Sequence, residues 1–318
     1  MNAEVAVLIV SYNTRDRTLA CVRSVLAHPP AAATEIVVVD NDSADGSADA
    51  LDLEFPSVTV LRSGGNLGFA RAVNLGARVT AAEYLLLLNP DTLVPSGSLA
   101  ALLGFARAHP EHGVYGGRTF REDGELDPSS CWGAPTLWSL SCFALGLSTA
   151  FAGSAVFDPE SLGRWQRDTV REVPIVTGCL LLVTRADFER IGGMDERFFL
   201  YGEDAEFSLR AARAGMRPVI VPEASIVHAV GASTGARGRK MTMVLAGKVT
   251  LLRSAWSPQR ARIGVGMLGA GVLLRAGLET LTRRRDRMWA HAWRHRNAWL
   301  PGYPEARELI FGKEATHA

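Results

Sequence analysis

What the 318-residue chain lacks narrows its class first. It has four cysteines, Cys21, Cys131, Cys142 and Cys179, with no Cys-x-x-Cys spacing. That excludes a thiol redox motif or a zinc ribbon and leaves them as small buried hydrophobes of a reducing compartment. No uninterrupted apolar run reaches the ~18 residues of a membrane span. The apolar run from Ile263 to Leu274 has 12 residues, which suits an interfacial or subunit-contact helix. Met1 to Val10 has no basic n-region, so a secretory signal is not expected and a cytoplasmic location is the default. No Gly-x-Gly-x-x-Gly follows the first apolar run, which disfavours a nicotinamide enzyme.

What is there supports a large core, because 47% of the residues are hydrophobic. The net charge of +1 conceals an asymmetry. Residues 237–318 carry 16 Lys+Arg against 5 Asp+Glu, a net +11, which leaves 18 against 28, or −10, for residues 1–236. The chain therefore divides into an acidic domain, 1–236, and a basic helical extension, 237–318, with different partners. In the extension Arg283-Arg284-Arg285, Arg287, Arg294 and Arg296 interleave with Trp289, Trp293 and Trp299, the pairing expected at an anionic membrane surface. Nucleic acid fits poorly, since the charge is confined to a tail without a recognition motif. A homodimer contact is the other use of such a helix.

Tyr84 to Leu88 is a short apolar run closed by Asn89-Pro90-Asp91, and it reads as a strand buried on both faces of a parallel sheet. Ligands bind outside the carboxyl ends of such strands, so Asp91 is placed to meet a hard cation. Similar runs over Val5 to Val10, Glu35 to Val39 and Val58 to Leu61 alternate with helical patterns, notably Arg17 to Ala27 with Leu19, Val22, Val25 and Leu26 on one face. The fold class is α/β, a mostly parallel sheet with helices on both faces. Gly64 to Gly76 turns from a strand into a helix, which suits a phosphate.

Ser96 to His109 reads as a helix capped by Ser96 or Ser98, and Gly113 to Phe120 as a strand. Residues 121–172, rich in Trp and Phe, read as a partly helical insertion and acceptor lid. Val173 to Val183 carries Thr177-Gly178, which either borders an acceptor pocket or relieves strand crowding. A helix from Glu203 holds Glu203, Asp204 and Glu206 in its first turn, and Val219 to Pro222 reads as a strand before His228.

Val10-Ser11-Tyr12-Asn13, Val39-Asp40-Asn41-Asp42-Ser43, Gly65-Asn66-Leu67-Gly68-Phe69-Ala70, Asn89-Pro90-Asp91, Gly202-Glu203-Asp204, and His228 with Gly231 and Ser233 fall in one order. Over residues 5–235 this resembles the inverting family 2 glycosyltransferases of the GT-A fold, above all the rhamnosyltransferase-like members. The resemblance implies that Ser11, Tyr12, Asn13 and Asp40, with Asn41 and Ser43, hold a pyrimidine nucleotide. It implies that Asn66, Gly68, Phe69, Arg71 and Asn74 border its phosphates, with Asn89, Thr177 and Gly178 completing the site. Asp91 and His228 would hold Mg²⁺ or Mn²⁺. Asp204, with Glu203 in reserve, would be the base.

The family usually has Asp-x-Asp where this chain has Asn89-Pro90-Asp91, which leaves one charged ligand there; Mg²⁺ manages with one or two carboxylates plus substrate phosphates. The implied activity is transfer of a sugar, L-rhamnose from dTDP-rhamnose, to a lipid-linked or polysaccharide acceptor of cell-wall or surface glycan, at the inner face of the membrane. UDP-GlcNAc or UDP-galactofuranose is the alternative donor, and a non-catalytic nucleotide-binding scaffold is the reading from another class. A processive synthase is disfavoured, because no Gln-x-x-Arg-Trp follows His228.

Overall fold

The computed structural model describes residues 3–228, 237–282 and 287–311. Strands are β1 (Val5–Ser11), β2 (Thr34–Asp40), β3 (Thr59–Arg62), β4 (Tyr84–Leu88), β5 (Thr92–Leu93), β6 (Val114–Phe120), β7 (Leu126–Asp127), β8 (Cys131–Trp132), β9 (Arg171–Glu172), β10 (Ile175–Val176), β11 (Leu180–Thr184) and β12 (Val219–His228). Helices of the first 228 residues are α1 (Arg15–Ala27), α2 (Ser47–Glu54), α3 (Phe69–Arg78), α4 (Ser98–Ala108), α5 (Leu137–Ala144), α6 (Leu147–Ala150), α7 (Arg185–Arg190) and α8 (Glu203–Arg213). The extension adds α9 (Arg237–Ala255), α10 (Pro258–Leu281), α11 (Met288–Arg294), α12 (Arg296–Trp299) and α13 (Glu305–Phe311).

The unbroken apolar runs of β1 and β4 have a topological cause. The main sheet runs β3-β2-β1-β4-β11-β6-β12-β5, so β1 is flanked by β2 and β4, both parallel to it, and every residue of β1 and β4 is buried. Each leucine of β4 then contributes roughly 1.5–3 kcal/mol of transfer free energy. Chain order reverses between β1 and β4, which is where sheets of this kind place a ligand crevice, outside the carboxyl ends of the strands. β11 runs antiparallel to both its neighbours, β4 and β6, so its start, Leu180 opposite Leu88, lies at that same rim.

Several expectations change in detail. Pro90 ends β4, but Thr92–Leu93 resumes pairing as β5, antiparallel to β12, with Thr92 opposite His228. β12 does not stop at Pro222; a register shift between Ile220 and Ser225 lets it run on to His228. The stretch from Val173 divides into β10, paired with β8, and β11. Leu26 is exposed, apart from the buried Leu19, Val22 and Val25. Helix α4 begins at Ser98 after Gly97, and no serine caps it, because the Ser98 hydroxyl bonds the Ser225 backbone at 2.5 and 2.8 Å.

Alanines and glycines around the 12-residue apolar run prolong α10 to 24 residues, long and apolar enough by composition to cross a membrane. The Arg283-Arg284-Arg285 run lies outside the described residues.

The extension is not a loose tail. Leu245, Val249, Leu252, Trp299 and Tyr303 share one apolar cluster with Phe198 and Phe199 of the loop before α8. Gly247 of α9 sits so close to Tyr201 that a β-carbon there would overlap the Tyr201 carbonyl oxygen. The Tyr303 hydroxyl donates to Leu200 O at 3.0 Å. The composition change at 236 thus marks where charge changes sign, while the packing crosses it.

Candidate active site

One end of the candidate site is built from the loops after β1 and β2. Asn13, at φ +52°, donates its N–H to Ser43 Oγ at 2.9 Å, and its side-chain oxygen accepts from Ala44 N at 2.8 Å. The two loops thereby clasp each other. Asp40 is buried, and one carboxylate oxygen accepts from Ser43 N at 3.0 Å while the other has no partner. Asn41 donates to Gly68 O at 3.0 Å and likewise keeps its side-chain oxygen unpartnered. Buried acceptors without donors are rare, and a base N–H and ribose hydroxyls are the donors that would complete them. Tyr12 stands half-exposed beside them, whereas the Ser11 hydroxyl is buried between Thr14 and Thr18.

The Asn66–Phe69 turn is the next wall. Asn66 accepts from Gly68 N at 3.0 Å, and Phe69 N donates to Phe199 O at 2.8 Å. Gly68 has φ +79°, and a β-carbon there would overlap the Phe199 carbonyl. Arg71 lies 3.7 Å from Glu196. Asn74 is turned elsewhere: it is buried and bonds both the amide and the carbonyl of Met194 at 2.9 Å, bracing a turn instead of lining the crevice. Arg307 of α13 reaches this wall from the extension and donates to Asn66 O at 3.0 Å. Its sequence position, 241 residues from Asn66, gave no sign of this.

At the other end β5 and β12 bring Asp91 and His228 together, with His228 Nε2 3.0 Å from Asp91 Oδ1. Asp127 of β7, which no sequence pattern marked, lies on the far side of the ring, its Oδ2 3.8 Å from His228 Nδ1. Burial alone would raise the Asp127 carboxyl, but the nearby His228 and bonding to Ser129 hold it down at about 2. Burial would lower His228, yet its two carboxylates push it up to about 9. This end of the crevice is shaped to stabilise positive charge, and Arg17 approaches Asp91 only to 3.9 Å.

Among the described residues no three His, Cys, Asp or Glu side chains form a complete metal cage. The pair Asp91–His228 nevertheless fits a divalent ion of the kind that takes one or two protein ligands and completes its shell with phosphates and water.

Between the two ends runs the Thr177-Gly178-Cys179 turn. Asn89 donates its backbone N–H to Cys179 O at 3.2 Å and its side-chain amide to Cys179 Sγ at 3.3 Å. Thr177 is buried and bonded to Ser130 O. Gly178 N donates to Asp204 Oδ2 at 3.2 Å, so one turn links the Asp91 loop to Asp204. Asp204 is half-buried, while Glu203 is buried with one oxygen unpartnered. Burial raises the Asp204 carboxyl, and burial followed by the charge of Asp204 pushes Glu203 up to about 8. Of the three first-turn carboxylates, Asp204 alone keeps accessible surface. Glu206, the third first-turn carboxylate, is taken by Arg210 at 2.7 Å.

A separate cleft of about 980 Å³, lined by Arg78, Arg185, Asp195 and Glu196 among others, opens beside α3 and α7. Its charges are mutually paired, as in Arg78–Glu196 at 3.6 Å and Arg197–Asp195 at 2.5 Å.

Comparison with known proteins identifies the family. The glycosyl transferase family 2 profile matches residues 6–157, and that described as the N-terminal domain of galactosyltransferase matches residues 168–231. The N-acetylglucosaminyl-diphospho-decaprenol L-rhamnosyltransferase of Mycobacterium tuberculosis is 33% identical over 214 residues, 63% of this chain and 68% of that one. Rhamnosyltransferase WbbL of Escherichia coli is 28% identical over 52% of this chain and 62% of its own length. The mannosyltransferase PcManGT of Pyrobaculum calidifontis, solved with GDP-Man and Mn²⁺, superposes with a TM-score of 0.56 at 20% identity, over 98% of this chain and 88% of that one. With a crevice at the strand reversal, unpartnered acceptors at one end and an Asp–His pair at the other, the chain belongs to the family 2 glycosyltransferases.

Proposed function

We propose that the chain transfers L-rhamnose from dTDP-rhamnose, with inversion, to a lipid-linked acceptor of cell-wall or surface glycan at the cytoplasmic face of the membrane. The observation that carries the reading is that Gly178 N holds a half-buried Asp204 on the same turn that binds the Asp91 loop. The named activities of the mycobacterial and E. coli relatives support the sugar, and decaprenol in the former's name supports the lipid.

In this reading Asp40 accepts from the pyrimidine imide N–H. Asp204 takes the proton of the acceptor hydroxyl as its oxygen bonds the anomeric carbon from the face opposite the diphosphate; the bond to the diphosphate breaks and dTDP leaves with its electron pair. Mg²⁺ or Mn²⁺ at Asp91 and His228 would neutralise the charge growing on that diphosphate. Asp127 faces His228 Nδ1 at 3.8 Å, beyond hydrogen-bond reach, and its charge would favour a proton on Nδ1 and leave Nε2 for the ion. Replacing Asp127 by Asn is expected to weaken Mn²⁺ binding in the presence of dTDP by roughly 10- to 100-fold, read by electron paramagnetic resonance.

The test of function offers dTDP-rhamnose, UDP-GlcNAc and UDP-galactofuranose separately with a polyprenyl-diphosphate-sugar acceptor. Release of dTDP that needs acceptor and stops with EDTA is the expected result. Turnover of a UDP-sugar alone would replace the donor assignment. Nucleotide binding indifferent to EDTA, with no turnover, would favour the scaffold.

A further inference from the structure

We infer that one face of α10 is the seat of an anionic phospholipid surface, with the helix lying in the plane of the bilayer. The inference deepens the reading of a lipid-linked acceptor by naming the face that meets the lipid.

The helix has two unlike sides. Ala261, Leu268, Val272, Arg275 and Glu279 are buried against α5, α9 and α11. On the opposite side Ile263, Leu273, Leu274, Leu278 and Leu281 are exposed, Ile263 by 52% and Leu281 by 81%. At 1.5 Å per residue this stripe extends about 27 Å. No exposed residue between Ile263 and Leu281 is charged, because Arg275 and Glu279 both point inward. A crossing of the bilayer is inconsistent with that packing, since one side of the helix is already committed to protein that carries buried ionisable groups.

The stripe continues onto the insertion. Gly146, at the end of α5, abuts Leu274, and the adjoining Leu145 is 70% exposed. Beyond it Phe151 packs at a tilt on Phe157, which in turn meets Trp138, with ring centroids 5.0 and 6.3 Å apart, and both Phe151 and Trp138 are exposed.

Charge decides the occupant. Arg260 and Arg262 are exposed just before the stripe, and Arg287 and Arg294 are exposed after it. An apolar face bounded at both ends by arginine matches acyl chains beneath anionic headgroups. A second copy of the same face would bring like charges together.

The test uses the full chain with vesicles of phosphatidylglycerol or of phosphatidylcholine, separated by flotation. The protein is expected to float with phosphatidylglycerol and largely to stay down with phosphatidylcholine. Leu274→Ser with Leu278→Ser is expected to weaken flotation at least ~10-fold, as the loss of two buried leucines requires, and Arg260→Glu with Arg262→Glu to remove the preference for phosphatidylglycerol. Thermal unfolding checks that the variants fold, and Leu281→Ser, at the most exposed position, repeats the test if the leucine pair does not. Release of dTDP without vesicles is expected to be unchanged, which separates this inference from the proposed activity. Undiminished flotation of the leucine variants, or no flotation of the parent, overturns it. So does a dimer, by light scattering, that the leucine changes dissociate.

Discussion

Asp204→Asn is expected to lower kcat by about 10²- to 10⁴-fold while leaving the donor KM near its original value, the loss typical of a removed general base. The side chain keeps its size and its amide oxygen can still accept from Gly178 N, at the cost of the second acceptor bond, from Ala205 N at 2.7 Å, so the Gly178 turn and the Asp91 loop stay in place. Glu203→Gln is expected to cost far less, because Glu203 is buried and presents nothing to the crevice. Rate against pH is a second readout. Burial raises the Asp204 carboxyl above its ordinary 3.8, and a base acts only when ionised, so activity should fall on the acid side at a pH above that value. Parent-like turnover by Asp204→Asn would remove it as the base.

Asp91→Ala is expected to abolish metal-dependent turnover. Charge stabilisation by a bound ion is worth several kcal/mol, which corresponds to roughly 10²- to 10⁴-fold in rate. The change also leaves His228 facing Asp127 alone. Binding of dTDP should survive, weakened but now indifferent to EDTA, because the acceptors of Asp40 and Asn41 belong to loops that do not touch Asp91. Calorimetric titration of dTDP with and without Mn²⁺ separates the two effects. Equal Mn²⁺ dependence in parent and variant would place the ion elsewhere.

The parts of this site that were legible in the sequence are those where burial writes a pattern. β1, β2 and β4 are covered on both faces, so they read as unbroken apolar runs, and the polar residues that end them, Ser11, Asp40 and Asp91, mark the rim. Asp204 was legible because a helix begins beside it. Asp127 was not, since β7 is two residues long and sits in an irregular stretch. The reach of β12 to His228 was hidden by Pro222 and the register shift after Ile220, which break the alternation a strand would show. Asn74 looked like a phosphate neighbour by its place after a glycine-rich turn, but the far side of α3 needed a bonding group for Met194 more than the crevice did. Arg307 and Gly247 carry no local signal, because their partners lie in distant parts of the chain.

The rung that sets His228 across from Thr92 ties together residues 136 positions apart along the chain. The loops proposed to hold the nucleotide, by contrast, lie within the first 69 residues, propped from later in the chain by the Phe199 carbonyl and by Arg307. A chain that stopped short of β12 would keep Asp91 but lose both the strand that pairs with Thr92 and the imidazole that faces the carboxylate.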